Sequence, residues 1–247
     1  MIPKKIHYCW FGGNPLPKSA IKCINSWKKH CPDYEIIEWN EDNFDIKCNE
    51  YILQAYKMKK YAFVSDYARF DILYRCGGIY FDTDVEVIKP IDHILSKGPF
   101  MACESDGSEE NDIYPSVAPG LGIAAEPNNS IYKKIIEYYN TQEFVNSNGD
   151  INSETVVLKT TKLLIDEGLK KKSCIQKVGN IIIYPKSYFC PLDDNTGELK
   201  ITENTVAIHW FDKSWLPKSQ RLKSKLTRPI HRLFGDDCFD FIKKKDQ

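Results

Sequence analysis

Apolar positions in the first third of the chain alternate between the period of strands and the period of helices. Short apolar runs end in turn-forming residues, and the longer stretches between them repeat their apolar positions every three or four residues. This pattern predicts a strand over 5–11, a helix over 20–31, a strand over 34–39, helices over 50–60 and 62–76, and a strand over 79–81. Elements in this order predict an α/β fold with a mostly parallel sheet flanked by helices.

The rest of the chain is less regular. It predicts a strand over 99–104, a polar loop over 105–114, helices over 129–140 and 153–167, and strands over 181–184 and 205–210. Because no internal repeat, low-complexity tract or linker divides this region, we expect one domain over residues 1–215.

Residues 216–247 form a basic tail in this interpretation. Its lysines and arginines alternate with Leu222, Leu226, Ile230 and Leu233 at near-helical spacing, although Pro229 limits a continuous helix. A basic amphipathic segment either packs its leucines on the domain or lies on an anionic membrane surface, and the sequence leaves both open.

Composition narrows the function classes. The 34 Lys and Arg residues balance 34 Asp and Glu residues, so no basic field favours nucleic acid as a partner. The nine cysteines are an odd number without a C-x-x-C pair, which indicates free thiols in a reducing compartment. With no apolar signal segment near Met1 and no apolar stretch of membrane-spanning length, we expect a cytoplasmic protein, with a peripheral position at the inner membrane face as the alternative.

Two aspartates follow the predicted strand at 79–81. In parallel sheets ligands bind at the carboxyl ends of strands, where Trp10 and the pair Asp82 and Asp84 are both expected. Two carboxylates one residue apart can converge on a hard divalent cation, which in turn could hold a diphosphate. A polar strand end without a ligand is the alternative interpretation.

Two charges fall among apolar residues on the preceding helix. Asp66 and Arg69 lie within about 60° of each other on the helical wheel, together with Ala62 and Leu73. We expect a buried ion pair between residues i and i+3, whether or not the site is functional. Alternatively, Ser65 and Asp66 cap a break between the two predicted helices over 50–60 and 62–76.

These segments resemble a known family. Ala62–Arg69 and Gly77–Asp84 resemble the DXD-containing sugar transferases related to the yeast initiating mannosyltransferase and to bacterial capsule enzymes, and more distantly the clostridial glucosylating toxins. Ile2–Gly13, the pair Ser26 and Trp27, and Pro32–Glu35 also match, so the resemblance covers residues 1–104.

The resemblance implies a GT-A fold, that is, a Rossmann-like, mostly parallel sheet flanked by helices. It also implies a nucleotide-sugar donor, a Mn²⁺ or Mg²⁺ ion, and transfer with retention of the anomeric configuration. Trp10 would stack on the nucleobase, Asp66 would hold ribose or donor sugar, and Arg69 would contact the sugar or its phosphate. Asp82 would bind sugar or ribose and metal-bound water, and Asp84 would ligate the metal. The same arrangement suits departure of a diphosphate, since a cationic side chain and a metal offset its charge.

A second matching cluster lies at residues 207–215. It resembles the family's closing segment, so His209 is a candidate third metal ligand, and Ser214 and Trp215 are candidates for contacts with the phosphates. A single histidine after an apolar strand can also be structural.

The middle of the chain matches the family less well. Asn152 and its neighbours stand where family members often have a Gly-Pro pair, which leaves the acceptor side open. The glycines of Pro119–Gly122 could bring the backbone close to a donor sugar or mark only a turn. Candidate sugar contacts that could equally be exposed or capping residues are Glu104, Asp106, Asn152 and Glu154.

The sequence therefore predicts a metal-dependent, retaining glycosyltransferase that moves a hexose from a nucleotide-sugar to a glycan or lipid-linked glycan in surface or capsular polysaccharide synthesis. A UDP-sugar is the favoured donor. One alternative is a sugar- or nucleotide-binding scaffold on a degenerate transferase fold. The other is a phosphatase of the haloacid-dehalogenase type, which the D-x-D also resembles, although Glu86 stands where that family has Thr or Val.

Overall fold

The structure, a computed structural model, describes residues 1–213, 227–229 and 232. The strands in this part of the chain are β1 (Lys5–Cys9), β2 (Glu35–Trp39), β3 (Gly78–Tyr80), β4 (Val85–Val87), β5 (Phe100–Ser105), β6 (Ser116–Val117), β7 (Ile123–Ala125), β8 (Gln176–Val178), β9 (Ile181–Tyr184) and β10 (Ala207–His209). The helices are α1 (Lys18–His30), α2 (Glu50–Lys57), α3 (Tyr61–Cys76), α4 (Asp92–Leu95), α5 (Ser130–Asn140), α6 (Val156–Asp166) and α7 (Lys186–Phe189).

The main sheet has the strand order β2-β1-β3-β7-β5-β9-β8, and β6 pairs with β5. β2, β1, β3, β5 and β9 run in one direction, while β7, β8 and β6 run against them. β4 and β10 form a separate antiparallel ribbon in which His209 lies opposite Val85. The predicted α/β class with a mostly parallel sheet is confirmed.

Hydrophobic cores cover both faces of the main sheet. Buried residues of α2, α3, α5 and α6 pack on one face, and those of α1, α4 and α7 with the β4–β10 ribbon pack on the other. Successive side chains of a strand point to opposite faces of the sheet, so Ile6 and Tyr8 of β1 belong to one core and Cys9 to the other. On the second face, the buried Trp27 indole donates to the carbonyl of Val85 over 2.7 Å and so ties α1 to the ribbon.

His7 joins β1 to the end of α3. Its Nδ1 accepts a hydrogen bond from the Trp39 indole at 3.0 Å, so its Nε2 carries the proton and donates to the carbonyl of Gly77 at 2.9 Å. Gly77 ends α3 with φ at +63°, a conformation that favours glycine. Burial lowers the pKa of His7 to about 4, although the hydrogen bond to the Gly77 carbonyl opposes the shift.

The structure corrects one sequence interpretation of α3. The helix begins at Tyr61 and runs unbroken to Cys76, so Ser65 and Asp66 cap no break. Ser65 instead donates its hydroxyl hydrogen to the carbonyl of Tyr61, one turn earlier in the same helix.

The eight cysteines among the described residues are free thiols. None of the helices found in the described ranges is long and apolar enough to cross a membrane.

Candidate active site

The candidate site lies at the carboxyl edge of two adjacent parallel strands. Trp10 follows β1 and Asp82 follows β3, as the sequence predicts. The backbone extends the pairing past both strands, since Trp10 N donates to the carbonyl of Trp39 at 2.8 Å and Phe81 N to that of His7 at 3.1 Å. The rigid sheet therefore fixes where both side chains leave the backbone.

Arg69 connects the helix α3 to this edge. Its guanidinium contacts Asp66 Oδ1 at 2.9 Å and Asp82 Oδ1 at 3.4 Å, and only 4% of the side chain is exposed. Its Nε donates to the carbonyl of Ser65 at 3.0 Å, and the Tyr80 ring lies 4.9 Å from the guanidinium carbon. The ion pair expected between Asp66 and Arg69 is present, and it includes the first aspartate of the D-x-D.

Two further groups hold Asp82. The Tyr80 hydroxyl donates to Asp82 Oδ1 at 2.9 Å, and the Asp82 N–H donates to the carbonyl of Gly120 at 2.9 Å. A Cβ added at Gly120 would lie 2.0 Å from Asp82 Oδ2 and 3.3 Å from an Arg69 nitrogen. Glycine is therefore required at position 120, in the loop before β7, because the Asp82 carboxylate occupies the space that a side chain would need.

Burial and charge set the protonation of this cluster. Burial raises the pKa of Asp66 to about 6, although the positive charges of Arg69 and Lys159 oppose the shift and the charge of Asp82 adds to it. Burial disfavours the charge on Arg69, but Asp82, Tyr80 and Asp66 outweigh it and raise its pKa. Arg69 is thus a permanent buried cation between two carboxylates.

Asp82, Asp84 and His209 form a second group that overlaps the first. One potential ligand atom from each lies within 4.8 Å of the others, and within the described ranges no other three acidic, histidine or cysteine side chains come together in this way. The pairing of β4 with β10 brings His209 to this group. The Asp84 carbonyl accepts a hydrogen bond from Trp210 N at 3.0 Å, and Asp84 Oδ2 accepts one from Asp212 N at 3.0 Å.

When no cation is bound, Asp84 and His209 each favour the charged form of the other. His209 Nε2 lies 3.1 Å from Asp84 Oδ1. Burial opposes the charge of both groups, but the charge of His209 lowers the pKa of Asp84, and that of Asp84 raises the pKa of His209 well above its usual range. His209 Nδ1 is buried without a hydrogen bond of ordinary geometry, although the Cys190 thiol lies close enough to act on the ring.

The donor set fits a divalent cation. Two carboxylates and an imidazole are oxygen and nitrogen ligands of the kind that Mn²⁺ and Mg²⁺ sites in proteins use. Asp82 keeps 32% of its side chain exposed, so this group is open to solvent on one side and leaves positions for water or a ligand.

Trp10 lines a cleft of about 510 Å³ that the loops after β1 and β2 form. Its indole N–H donates to the carbonyl of Asn14 at 2.5 Å, and the ring is partly exposed rather than buried in the core. Glu41 stabilises the loop by accepting from Gly12 N at 2.6 Å and from the Tyr56 hydroxyl at 2.9 Å. Part of the Trp10 ring also packs against the core on the α1 side of the sheet.

Glu104 differs from the other predicted candidates in the middle of the chain. Among the described residues it makes no hydrogen bond, and burial raises its pKa while His209 opposes the shift. Asp106 accepts from the backbone of Lys186, and Asn152 accepts from the backbone N–H of Glu154, so both serve local structure. Glu104 therefore stays available for a ligand.

Ser214 and Trp215 lie outside the described residues, as does nearly all of the basic tail. The described segment that leads to them is held in place, because Lys213 Nζ lies 2.6 Å from Asp194 Oδ2 and Arg228 binds the same carboxylate at 2.9 Å. Trp210 is half-buried and donates its indole N–H to Glu86 at 2.8 Å.

Sequence reasoning missed three contributors to this site: the Tyr80 hydroxyl, the clash at Gly120 and the buried Lys159. Tyr80 and Gly120 stood in segments that the motifs included, but their contacts depend on how β3 and the loop before β7 meet. Lys159 left a visible signal, since it is a lysine on the buried side of a helix whose neighbours are largely apolar.

Comparisons with known proteins give the site its context. Residues 17–101 match a family described as a glycosyltransferase sugar-binding region containing a DXD motif. Inositol phosphoceramide mannosyltransferase 1 of Schizosaccharomyces pombe is 32% identical over 111 residues, 40% of this chain and 33% of the relative. An uncharacterized glycosyltransferase of Acanthamoeba polyphaga mimivirus is 25% identical over 227 residues, 88% of this chain and 85% of the relative. Among solved structures, the PaToxG glycosyltransferase gives a TM-score of 0.49 at 21% identity, over 68% of this chain and 70% of that one.

The match covers part of the site, whereas Trp10, Gly120 and His209 lie outside it. It includes all of α3 and both aspartates after β3, whereas the chain spans only about a third of the length of the fission-yeast relative. The predicted resemblance to DXD-containing sugar transferases and yeast mannosyltransferases is confirmed. Residues 17–101, about a third of the chain, are thus similar to glycosyltransferase sugar-binding regions with a DXD motif, and Asp82-Thr83-Asp84 is a D-x-D inside the matched range.

Proposed function

We propose that this chain is a metal-dependent glycosyltransferase of the GT-A type that moves a hexose from a nucleotide-sugar to a glycan acceptor. The observation that carries the proposal is the contact of Asp66, Arg69 and Asp82 beside the group of Asp82, Asp84 and His209. A buried cation and a set of metal ligands thus share one aspartate at the ligand-binding edge of the sheet. The fission-yeast relative is named a mannosyltransferase, and mannose is a hexose. A UDP-sugar is the donor that we would test first.

The metal-ligand group would act on the diphosphate. Asp84 and His209 would be direct ligands, and Asp82 would bind through water and also contact sugar or ribose. A divalent cation held there, Mn²⁺ or Mg²⁺, would offset the negative charge that a departing nucleoside diphosphate gains.

Arg69 would supply the fixed positive charge of the site. Its contacts to Asp66, Asp82 and the Ser65 carbonyl hold the guanidinium in one orientation, so it needs little rearrangement as charge develops on the sugar phosphate. Asp66 would accept a hydrogen bond from a hydroxyl of ribose or donor sugar.

Trp10 would bind the nucleobase. Its partly exposed indole borders the cleft next to the carboxyl ends of β1 and β2, and an aromatic face stacks with any base. Ser214 and Trp215 would contact the phosphates from the segment after Lys213.

We propose transfer with retention through front-face attack. In this step the acceptor oxygen bonds to the anomeric carbon as the bond to the diphosphate breaks, and the departing phosphate oxygen takes the acceptor's proton. A double displacement would instead require a carboxylate that bonds to the sugar. The acceptor would be a glycan or lipid-linked glycan of surface or capsular polysaccharide, reached from the cytoplasm, with the basic residues of 216–247 against the membrane.

A thermal-shift panel tests the function. UDP, GDP, CDP and their hexose conjugates are each added with and without Mn²⁺, followed by hydrolysis assays without acceptor. We expect stabilisation by one nucleotide family that requires the metal, since a ligand at 100 times its Kd stabilises by about 2.7 kcal/mol, and slow hydrolysis of one sugar conjugate.

Two variants of α3 make the panel specific. Asp66→Asn should abolish hydrolysis, whereas Asp71→Asn, which removes a partly buried carboxylate of the same helix that is paired with Arg75, should not. Binding without any hydrolysis would favour the scaffold interpretation, and release of phosphate from simple phosphomonoesters would favour a phosphatase. No stabilisation by any nucleotide with metal present would contradict the proposal.

A further inference from the structure

The backbone is strained immediately after His209. Phe211 and Lys213 have φ at +51° and +47°, and they are two of the five non-glycine residues with a positive φ in the described part of the chain. The Cβ of such residues makes the left-handed conformation unfavourable, so it persists only where surrounding contacts hold it. The contacts of residues 210–213 therefore indicate what this segment does.

On one side, the segment contacts both of the proposed metal ligands that the ribbon brings together. The N–H groups of Trp210 and Asp212 donate to the carbonyl and to Oδ2 of Asp84, each at 3.0 Å. The Phe211 ring lies edge-on against the His209 ring, with 4.2 Å between the ring centroids and 66° between the ring planes. The conformation of the segment thus sets the orientation of both ligands.

On the other side, the segment ends in an ion pair with Asp194. Lys213 Nζ lies 2.6 Å from Asp194 Oδ2, and each of the two side chains is 25% exposed. The Arg228 guanidinium binds the same residue twice, at Asp194 Oδ1 over 2.9 Å and at its backbone carbonyl over 3.1 Å. Because these groups are mostly buried, salt and water screen them less than charges on the open surface.

Asp194 lies in a turn that is fixed by its own hydrogen bonds. Asp193 Oδ1 accepts from the N–H groups of Asn195 and Thr196 at 3.1 and 2.8 Å, and from the Thr196 hydroxyl at 3.0 Å. None of these bonds involves residues 210–213. The turn is therefore an independent anchor for the strained segment.

The ion pair has two explanations that differ in an observable way. If it only adds stability, its loss lowers the Tm of the protein but leaves the Phe211 ring on His209. If it holds the backbone, its loss releases the strained residues, and the two rings separate in the folded protein.

We propose that Asp194 is a positioning residue for the metal-ligand group. Its ion pair with Lys213 holds residues 211–213 in the left-handed conformation. This conformation in turn orients Asp84 and His209 toward a common cation. The part that concerns the cation rests on the proposed function, whereas the link between the ion pair and the backbone does not.

NMR of the histidine rings tests the link in EDTA at fixed pH, without any ligand. The His209 ring protons are assigned with His209→Gln, and Phe211→Leu gives their resonances without the neighbouring ring. Asp194→Ala should move the His209 resonances toward those of Phe211→Leu. Glu198→Gln, which removes an exposed carboxylate of the same turn, is the matched control and should leave them unchanged. Resonances that stay in place in Asp194→Ala, or move equally in both variants, overturn the proposal.

Substitutions of Lys213 cover the case in which Asp194→Ala does not fold. Lys213→Met removes the ion pair and should move the His209 resonances in the same way. Lys213→Asn also lacks the ammonium group, but asparagine tolerates a positive φ better than methionine, so the resonances should stay closer to those of the wild type. Equal movement in the two variants would contradict a role of the ion pair in holding the backbone.

EPR of free Mn²⁺ tests the consequence for the metal. Asp194→Ala and Lys213→Met should each raise the Kd for Mn²⁺ by about tenfold or more, as is typical when a group that orients metal ligands is lost. The double variant should bind Mn²⁺ no more weakly than the weaker single variant, because both substitutions remove one contact. An unchanged Kd, or losses that multiply, would contradict the positioning role.

The two measurements separate this proposal from the proposed function. If the wild-type protein binds no Mn²⁺, with or without the nucleotides of the panel, the metal-dependent function fails. The histidine resonances still decide whether Asp194 holds the segment after His209.

Discussion

Gly120→Ala should inactivate the protein without unfolding it. The added methyl carbon would lie 2.0 Å from Asp82 Oδ2, and since real Cβ atoms essentially never come within 3.0 Å of such an atom, the carboxylate must move by at least 1 Å. That displacement breaks the Tyr80 hydrogen bond of 2.9 Å and the Arg69 contact of 3.4 Å. Asp82 would then no longer face the metal-ligand group.

The two effects of this substitution differ in size. Misplacing a positioned group by 1 Å can cost about 100-fold in rate, equivalent to about 2.7 kcal/mol of barrier. Stability should change by no more than about 1 kcal/mol, because a lost hydrogen bond of about 0.5–1.5 kcal/mol is offset by the 0.4–1 kcal/mol that alanine gains over glycine through the unfolded state.

The assay compares hydrolysis of the selected nucleotide-sugar with the thermal shift caused by Mn²⁺ and nucleotide. Gly149→Ala is the control, because Gly149 has φ at +87° with no atom within 4 Å of the added carbon. It should lose about 1–2 kcal/mol through backbone strain yet keep its activity. Wild-type hydrolysis by Gly120→Ala, or an equal loss in both variants, would refute the reasoning.

Three further predictions concern single groups. Asp84→Asn should abolish the dependence of nucleotide binding on Mn²⁺ while circular dichroism stays native, and a retained metal effect would exclude Asp84 as a ligand. Trp10→Ala should weaken nucleotide binding by about 1–3 kcal/mol, whereas Trp10→Phe should lose less, because stacking needs only an aromatic face; equal dissociation constants from calorimetry would rule out stacking. His7 should make stability depend on pH: the unfolded state binds its proton near pH 6.5 and the folded state only near 4, so its contribution of about 3 kcal/mol is present above pH 6.5 and lost as the pH falls toward 4. Urea denaturation should show this loss relative to His7→Gln, and parallel pH profiles would contradict it.

Strong local signals made the first third of the chain predictable. The helix predicted over 62–76 is α3 (Tyr61–Cys76), because sixteen residues of helical spacing end at a glycine that can take a positive φ. The strand and aspartates after it followed from the same local pattern. The ion pair between Asp66 and Arg69 was predictable because residues three apart on a helix share a face.

Short strands were not predictable in the same way. β7 (Ile123–Ala125) contains two alanines, which have little strand preference, and it follows a loop with two glycines. It is a strand because β3 and β5 pair with it from both sides. β4 (Val85–Val87) likewise depends on β10, a partner from the far end of the domain.

The site was predictable where motifs name residues and not where packing brings them together. Asp82, Asp84 and His209 were expected from the resemblance, and the structure places them in one group. The contacts of Gly120 arise between elements that are distant in sequence, so no local pattern could indicate them.

The ribbon of β4 and β10 has a consequence for how the protein matures. Asp84 meets the backbone of Asp212 across 128 positions of sequence, so the metal-ligand group exists only after the intervening chain has folded and β10 has docked. During synthesis the first two ligands would emerge long before the third, and a cation could bind with full strength only at the end. Its binding energy would then favour the docked strand over partly folded forms. Protection of β10 amides from hydrogen exchange should therefore rise with Mn²⁺ concentration more than protection of β1.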